Sequence, residues 1–329
     1  MENAFAVSPR RRPTHEELAT RLHRASVSKH ADAYADVEWD APEHRLDVRD
    51  PRFILSPELG LGRTRWYRAL PAETRATVGL HCAVAQLRIG MDFESILSRG
   101  LLELAFEREP GSADLRYAYQ EVIEESQHSL MFQELIARTG LPSRGLGGIE
   151  RTLSRRIPRL ARTFPELFFL HVLGGEAPID HVQRRELGRG DELHPLLRTV
   201  MRIHVTEEAR HISFARSFLR ERVPQLGWWR RAQLEVQAPF VLAAMCEQML
   251  LPPRWLLDTY AVPRETRREM RACPHQRASR IEGLGPIRSI LAEVGLLAPR
   301  NLPLWRVLGF APELRARPAL AATASSSQA

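Results

Sequence analysis

IHVTEEARHISF, residues 203–214, places two histidines and two glutamates in a stretch whose surroundings read as an Arg- and Leu-rich helix. At about 100° per helical residue, His204, Glu208 and His211, at offsets of four and seven, fall within an arc of about 60°. Glu207 lies about 60° from His204 on the side away from Glu208, so geometry disfavours it as a member of that face without excluding it. Alone, acids and bases at this spacing describe a solvated face as well as a ligand set. The rest of the chain decides between them.

Outward from this stretch the dominant period is 3.6 residues, with almost no sustained two-residue alternation, which predicts an all-α protein. THEELATRL carries Thr14 and Glu17 at capping-box spacing. Residues 31–65, with Pro42, Pro51, Pro57 and the GLG at 60–62, read as irregular connection. Long helical patterns follow over about 71–108, 112–140, 166–187 and 194–222, with a further apolar helix running to Leu251 and shorter ones to about Val307. Four long helices with turn signals between them predict a bundle. The expected organisation is residues 1–70 as an N-terminal helix and connection packed on the bundle, 71–310 as a single helical bundle domain, and 311–329 as a disordered tail.

Within that bundle, EVIEESQHSLMF (residues 121–132) carries a second Glu-x-x-His pair, Glu125 and His128, flanked by Val122, Ile123, Leu130 and Met131 rather than by charge. The helix before it sets Glu94 between Phe93 and Ile96, and the helix before the opening stretch sets Glu176 behind the apolar run FFLHVLGG. A buried carboxylate is expensive unless it is protonated, paired or bound to metal. The order Glu, Glu-x-x-His, Glu, Glu-x-x-His on successive helices is that of ferritin-like di-iron and di-manganese bundles. Carboxylate and imidazole donors suit iron, with manganese as the alternative, better than thiolate-seeking metals.

Composition narrows the remaining classes. The chain has 329 residues, 44% of them hydrophobic, and a net charge of +7. Its 47 basic residues are arginines except for Lys29, interleaved with glutamates, and only residues 10–12 form a dense run. Without a continuous basic stripe, nucleic acid is not the expected partner. Cys82, Cys246 and Cys273 are too scattered for a disulfide framework or a zinc site, which favours a reducing cytoplasm. Neither a signal peptide nor a run of about 20 apolar residues is apparent, so no membrane association is expected.

At these residues the sequence resembles the p-aminobenzoate N-oxygenase family of di-iron arylamine oxygenases. The resemblance covers roughly residues 75–220 and is most specific in His-x3-Glu-x2-His following Glu-x-x-His. It implies seven ligands for two iron ions: Glu94, Glu125, His128, Glu176, His204, Glu208 and His211. It also favours Glu125 over Glu124 and Glu208 over Glu207, leaving Glu207 and Arg210 as bystanders or supporting groups and predicting little loss of iron in Glu207→Ala. The implied activity is O2-dependent N-oxygenation of an (aryl)amine to a hydroxylamine and onward to the nitro compound, in secondary metabolism, with electrons from an external donor; a homodimer is allowed. Ile89 aligns where the family enzyme has an arginine suited to a carboxylate, and Asp180 where it has an asparagine, so an anionic benzoate is in doubt and a neutral or cationic amine fits at least as well. Other readings are a di-metal oxidase or hydroxylase acting on carbon, a ferritin-like ferroxidase, and a metal-free helical interaction protein. An apolar pocket beside the metals would distinguish an oxygenase from an iron-storage protein.

Overall fold

In the computed structural model, which describes residues 11–57 and 59–310, every regular element is a helix. The tail expected over 311–329 lies outside the described residues. The long helices are α1 (His15–Ser28), α2 (Ala72–Phe106), α3 (Ala113–Thr139), α4 (Pro165–Leu187), α5 (Pro195–Arg222) and α6 (Trp228–Leu250).

Their ends follow from local chemistry. The Thr14 hydroxyl accepts from the Glu17 amide at 3.2 Å and the Glu17 carboxylate accepts from the Thr14 amide at 2.9 Å, the reciprocal cap that the sequence predicts for α1. Ser112 caps α3 through its hydroxyl, and Gly140 ends it at φ +64°, a left-handed conformation that a side chain would strain. The irregular connection before α2 contains two 3-10 turns, Pro42–His44 and Pro51–Phe53, and short helices Gly60–Arg63 and Arg65–Ala69. Two further short helices, Gly148–Ser154 and Ile157–Thr163, fill the crossing from α3 to α4.

Helices α2 and α3 pack as one hairpin, α4 and α5 as a second, while α1 lies across α3 and α5 and α6 covers α4. The core is divided along α3 and α5. Tyr117 near the start of α3 belongs with Phe214 and Phe218 near the end of α5, whereas Met131, Phe132 and Leu135 late in α3 belong with Leu196 and Val200 early in α5. The two helices therefore run in opposite directions, and the polar segments 121–128 and 204–211 meet where the two apolar clusters part.

One described segment, Trp228–Thr259, is long and apolar enough on average to cross a bilayer. The glutamine and glutamate residues of α6 interrupt its apolar run, so it carries no continuous apolar stretch of spanning length. Because 56% of its most apolar window is buried within the protein, it is a core helix in this structure.

Candidate metal centre

Each of the seven sequence-predicted residues is buried, at most 2% exposed, on the inner faces of α2 to α5. Helix α2 supplies Glu94, α3 supplies Glu125 and His128, α4 supplies Glu176, and α5 supplies His204, Glu208 and His211. One donor atom each from Glu94, His128, His204 and Glu208 lies within 4.8 Å of the others, and the same holds for Glu94, Glu125, Glu176 and Glu208. A third such group joins Glu125 and His211 to Glu121, which the sequence reading did not single out.

The rings are aimed. His128 turns Nδ1 toward Glu125 (3.2 Å) and Glu208 (3.5 Å), while its Nε2 faces Glu207 at 2.8 Å. His211 turns Nδ1 toward Glu125 (2.9 Å) and Glu208 (3.3 Å), while its Nε2 faces Glu124 at 2.8 Å. The first acid of each Glu-Glu pair thus holds the histidine of the opposite helix, and Arg210 joins them, 2.8 Å from Glu124 and 3.4 Å from Glu207. The remaining Glu207 oxygen accepts from the Ala31 amide at 2.8 Å, tying the N-terminal segment to the site. His204 presents Nε2 at 3.5 Å from Glu94 and 3.6 Å from Glu208. Glu207, disfavoured as a ligand by helix geometry and left as a bystander or supporting group, grips a proposed ligand. Its side chain leaves the face counted on a single helix because its target belongs to α3.

Charge in this volume is distributed unequally. Burial, reinforced by neighbouring glutamates, pushes the Glu94 and Glu176 carboxyls well above the usual range. Burial also opposes charge on Glu125, but the His211 ring and hydrogen bonds from Glu94, His128 and His211 hold it well below that range. Burial opposes charge on His128, but the hydrogen bonds it donates to Glu125 and Glu207 outweigh that and raise it to about 10, and the carboxylates similarly raise His211. Burial brings His204 down to about 4.

These side chains fit divalent metal. Glu94 Oε2, Glu125 Oε1, Glu176 Oε1, His204 Nδ1, His211 Nδ1 and both oxygens of Glu208 are buried and make no well-aligned hydrogen bond, although Glu125 Oε1 and His211 Nδ1 lie 2.9 Å apart. So many buried ligand atoms short of a well-formed hydrogen bond would be costly in a metal-free core. Orienting carboxylates behind two of the imidazoles are what metal ligation requires of its surroundings.

A pocket reaches this centre from one side. It touches Glu94, Glu176 and His204 but neither His128 nor His211, and its walls include Phe53, Ile54, Ile89, Phe93, Leu197 and Met201. Its arginines are engaged: Arg52 with Asp50 at 2.5 Å and Arg189 with Glu186 at 2.7 Å. Arg88 is paired with Asp92 at 2.8 Å, and Asp180 with Arg184 at 2.8 Å. The pocket encloses about 150 Å³, enough for a single aromatic ring.

A helical bundle with four inward glutamates and two Glu-x-x-His helices has the ferritin-like architecture, and its buried carboxylates and imidazoles could hold metal. Within that architectural class the chain belongs to the p-aminobenzoate N-oxygenase AurF family, which it matches over residues 12–295. It is also 36% identical over 292 residues to uncharacterized proteins of Mycobacterium bovis and Mycobacterium tuberculosis, covering 88% of this chain and 86% of each relative.

Proposed function

We propose that this protein is a di-iron monooxygenase that inserts one oxygen atom of O2 into the N–H bond of an arylamine. The reaction balances as amine, O2, two electrons and two protons giving hydroxylamine and water, with the electrons from an external reductant. Repetition would carry the nitrogen toward the nitro level. The proposed ligands are Glu94, Glu125, His128, Glu176, His204, Glu208 and His211. Two ferrous ions held there would supply the O2-binding centre and the first electrons. The four carboxylates offset the metal charge, Glu124 and Glu207 fix the imidazoles, and the apolar walls exclude water and hold the amine against the Glu94–Glu176–His204 side.

The observation that carries this reading is the ring-sized apolar pocket against three of the proposed ligands. A ferroxidase needs an ion path there, and an apolar wall opposes one. The reading is tested by loading the protein anaerobically with Fe2+, adding O2 and a panel of arylamines, and analysing products by mass spectrometry. The expected product is 16 mass units heavier than its amine. Stoichiometric iron oxidation with every amine unchanged would overturn the proposal.

A further inference from the structure

The residue left outside the seven-ligand set is Glu121. It lies one turn before Glu125 on α3, is 1% exposed, and has no hydrogen-bond partner for either carboxylate oxygen. Burial raises its carboxyl to about 8. Protonation alone does not explain its placement, since a neutral acid still has an O–H to donate. The donors gathered round it are those of the site: one oxygen of Glu121, one of Glu125 and a ring nitrogen of His211 lie within 4.8 Å of one another.

The sequence supplies an independent reason. Residues 121–128 read EVIEESQH and residues 204–211 read HVTEEARH. In this register Val122 matches Val205, Glu124 matches Glu207, Glu125 matches Glu208 and His128 matches His211. The side chains obey the same correspondence, since Glu124 holds His211 and Glu207 holds His128. The two segments, on oppositely directed helices, are thus related by an approximate two-fold axis through the cluster. That operation carries His204 onto Glu121. His204 joins Glu208, one turn along its own helix, and His128 from the opposite helix; Glu121 joins Glu125, one turn along its own helix, and His211 from the opposite helix.

We infer that Glu121 is an eighth protein ligand, a carboxylate donor to the metal ion held by His211. The inference rests on the di-metal reading of the site. It makes the two ions chemically unlike. The ion beside the pocket receives two imidazoles, His128 and His204, whereas its neighbour, turned from the pocket, receives one imidazole and an additional carboxylate. The extra negative donor favours the higher oxidation state at the distal ion and leaves the more neutral environment at the ion facing substrate.

Anaerobic Co2+ titration, followed by the visible absorption of the bound ion and by competition with a chelator, separates the two sites. Wild-type protein is expected to bind two Co2+. Glu121→Gln is expected to weaken one binding step at least tenfold and change that ion's spectrum while the other step keeps its affinity. His204→Ala should weaken the opposite step. Metal-free Glu121→Gln and Glu121→Leu should melt no lower than metal-free wild type, because the side chain they replace has no partner; loss of the fold in both would show a structural role and overturn the inference. Two Co2+ bound to Glu121→Gln with wild-type affinities and spectra would overturn it alone. Failure of wild-type protein to bind Co2+ would overturn the di-metal reading and this inference with it.

Discussion

Nε2 of His211 on α5 lies 2.8 Å from a carboxylate oxygen of Glu124 on α3, and both side chains are fully buried. The bond crosses between the helices that carry the two Glu-x-x-His pairs, so the ring is oriented by the opposite half of the site. Its mate, Glu207 against His128 at 2.8 Å, runs the other way.

Glu124→Ala and Glu207→Ala are each expected to lower metal affinity about 10- to 100-fold, the usual effect of removing a carboxylate behind a ligating imidazole. This reverses the expectation that Glu207→Ala spares the iron. Chelator competition checks it, and unchanged affinity in both variants would show that the imidazoles hold their aim without these acids. Arg210→Ala, which leaves both bonds to the histidines in place, should have the smaller effect.

Metal loading should release protons. Burial and neighbouring carboxylates raise the Glu94 and Glu176 carboxyls, and the surrounding carboxylates raise His128 to about 10 and His211 above its usual imidazole value, so each holds its proton more tightly than a free side chain does. Each must lose one to ligate, and raising the pH removes the competing protons. Affinity should therefore climb from pH 6 to pH 8. An indicator-dye titration at pH 7 should record proton release on metal addition, and affinity independent of pH would contradict this charge distribution.

How much of this could be read in advance depended on whether the cause was local. Glu94 and Glu176 stood out because an acid inside an apolar helical run has few explanations, and Gly140 and the Thr14–Glu17 box mark helix ends within a few residues of sequence. The Glu124–His211 bond depends on the register of two separate helices, which a period counted on either one does not contain. Glu121 was overlooked because, in EVIEESQH, a third glutamate resembles solvated charge until its burial is known. Its one advance signal, the match of that octapeptide to HVTEEARH, emerges when the two motifs are aligned over eight residues instead of four.

The pocket wall was equally invisible, because a 3-10 turn far along the chain builds it. A Cβ placed on Gly79 of α2 would lie 1.8 Å from the carbonyl oxygen of Phe53, so backbone rather than a flexible side chain would have to move. Gly79→Ala should cost about 1–3 kcal/mol, as overpacking does elsewhere. Since Gly79 and Phe53 both line the pocket, amine KM should also rise. Thermal melting and steady-state kinetics check the two effects, and unchanged values in both would mean that the turn moves freely.

Gln183 offers a test at the far end of the same pocket. It lies seven residues after Glu176 on α4, hence on the same helix face and about 10 Å further along the axis. It is 6% exposed, it lines the pocket, and its Oε1 has no hydrogen-bond partner. A buried acceptor left alone costs about 1–3 kcal/mol, so Gln183→Leu should melt at or above the wild-type temperature. If Oε1 accepts a hydrogen bond from the end of the arylamine remote from its nitrogen, the same substitution should raise KM about tenfold, roughly 1.4 kcal/mol, for amines bearing a para hydroxyl or carboxamide donor. It should leave unsubstituted aniline unaffected. With the pocket arginines already paired, wild-type protein should prefer such neutral donors to p-aminobenzoate. Equal losses for aniline and the para-substituted amines would mean that Gln183 shapes the wall without reading the substrate.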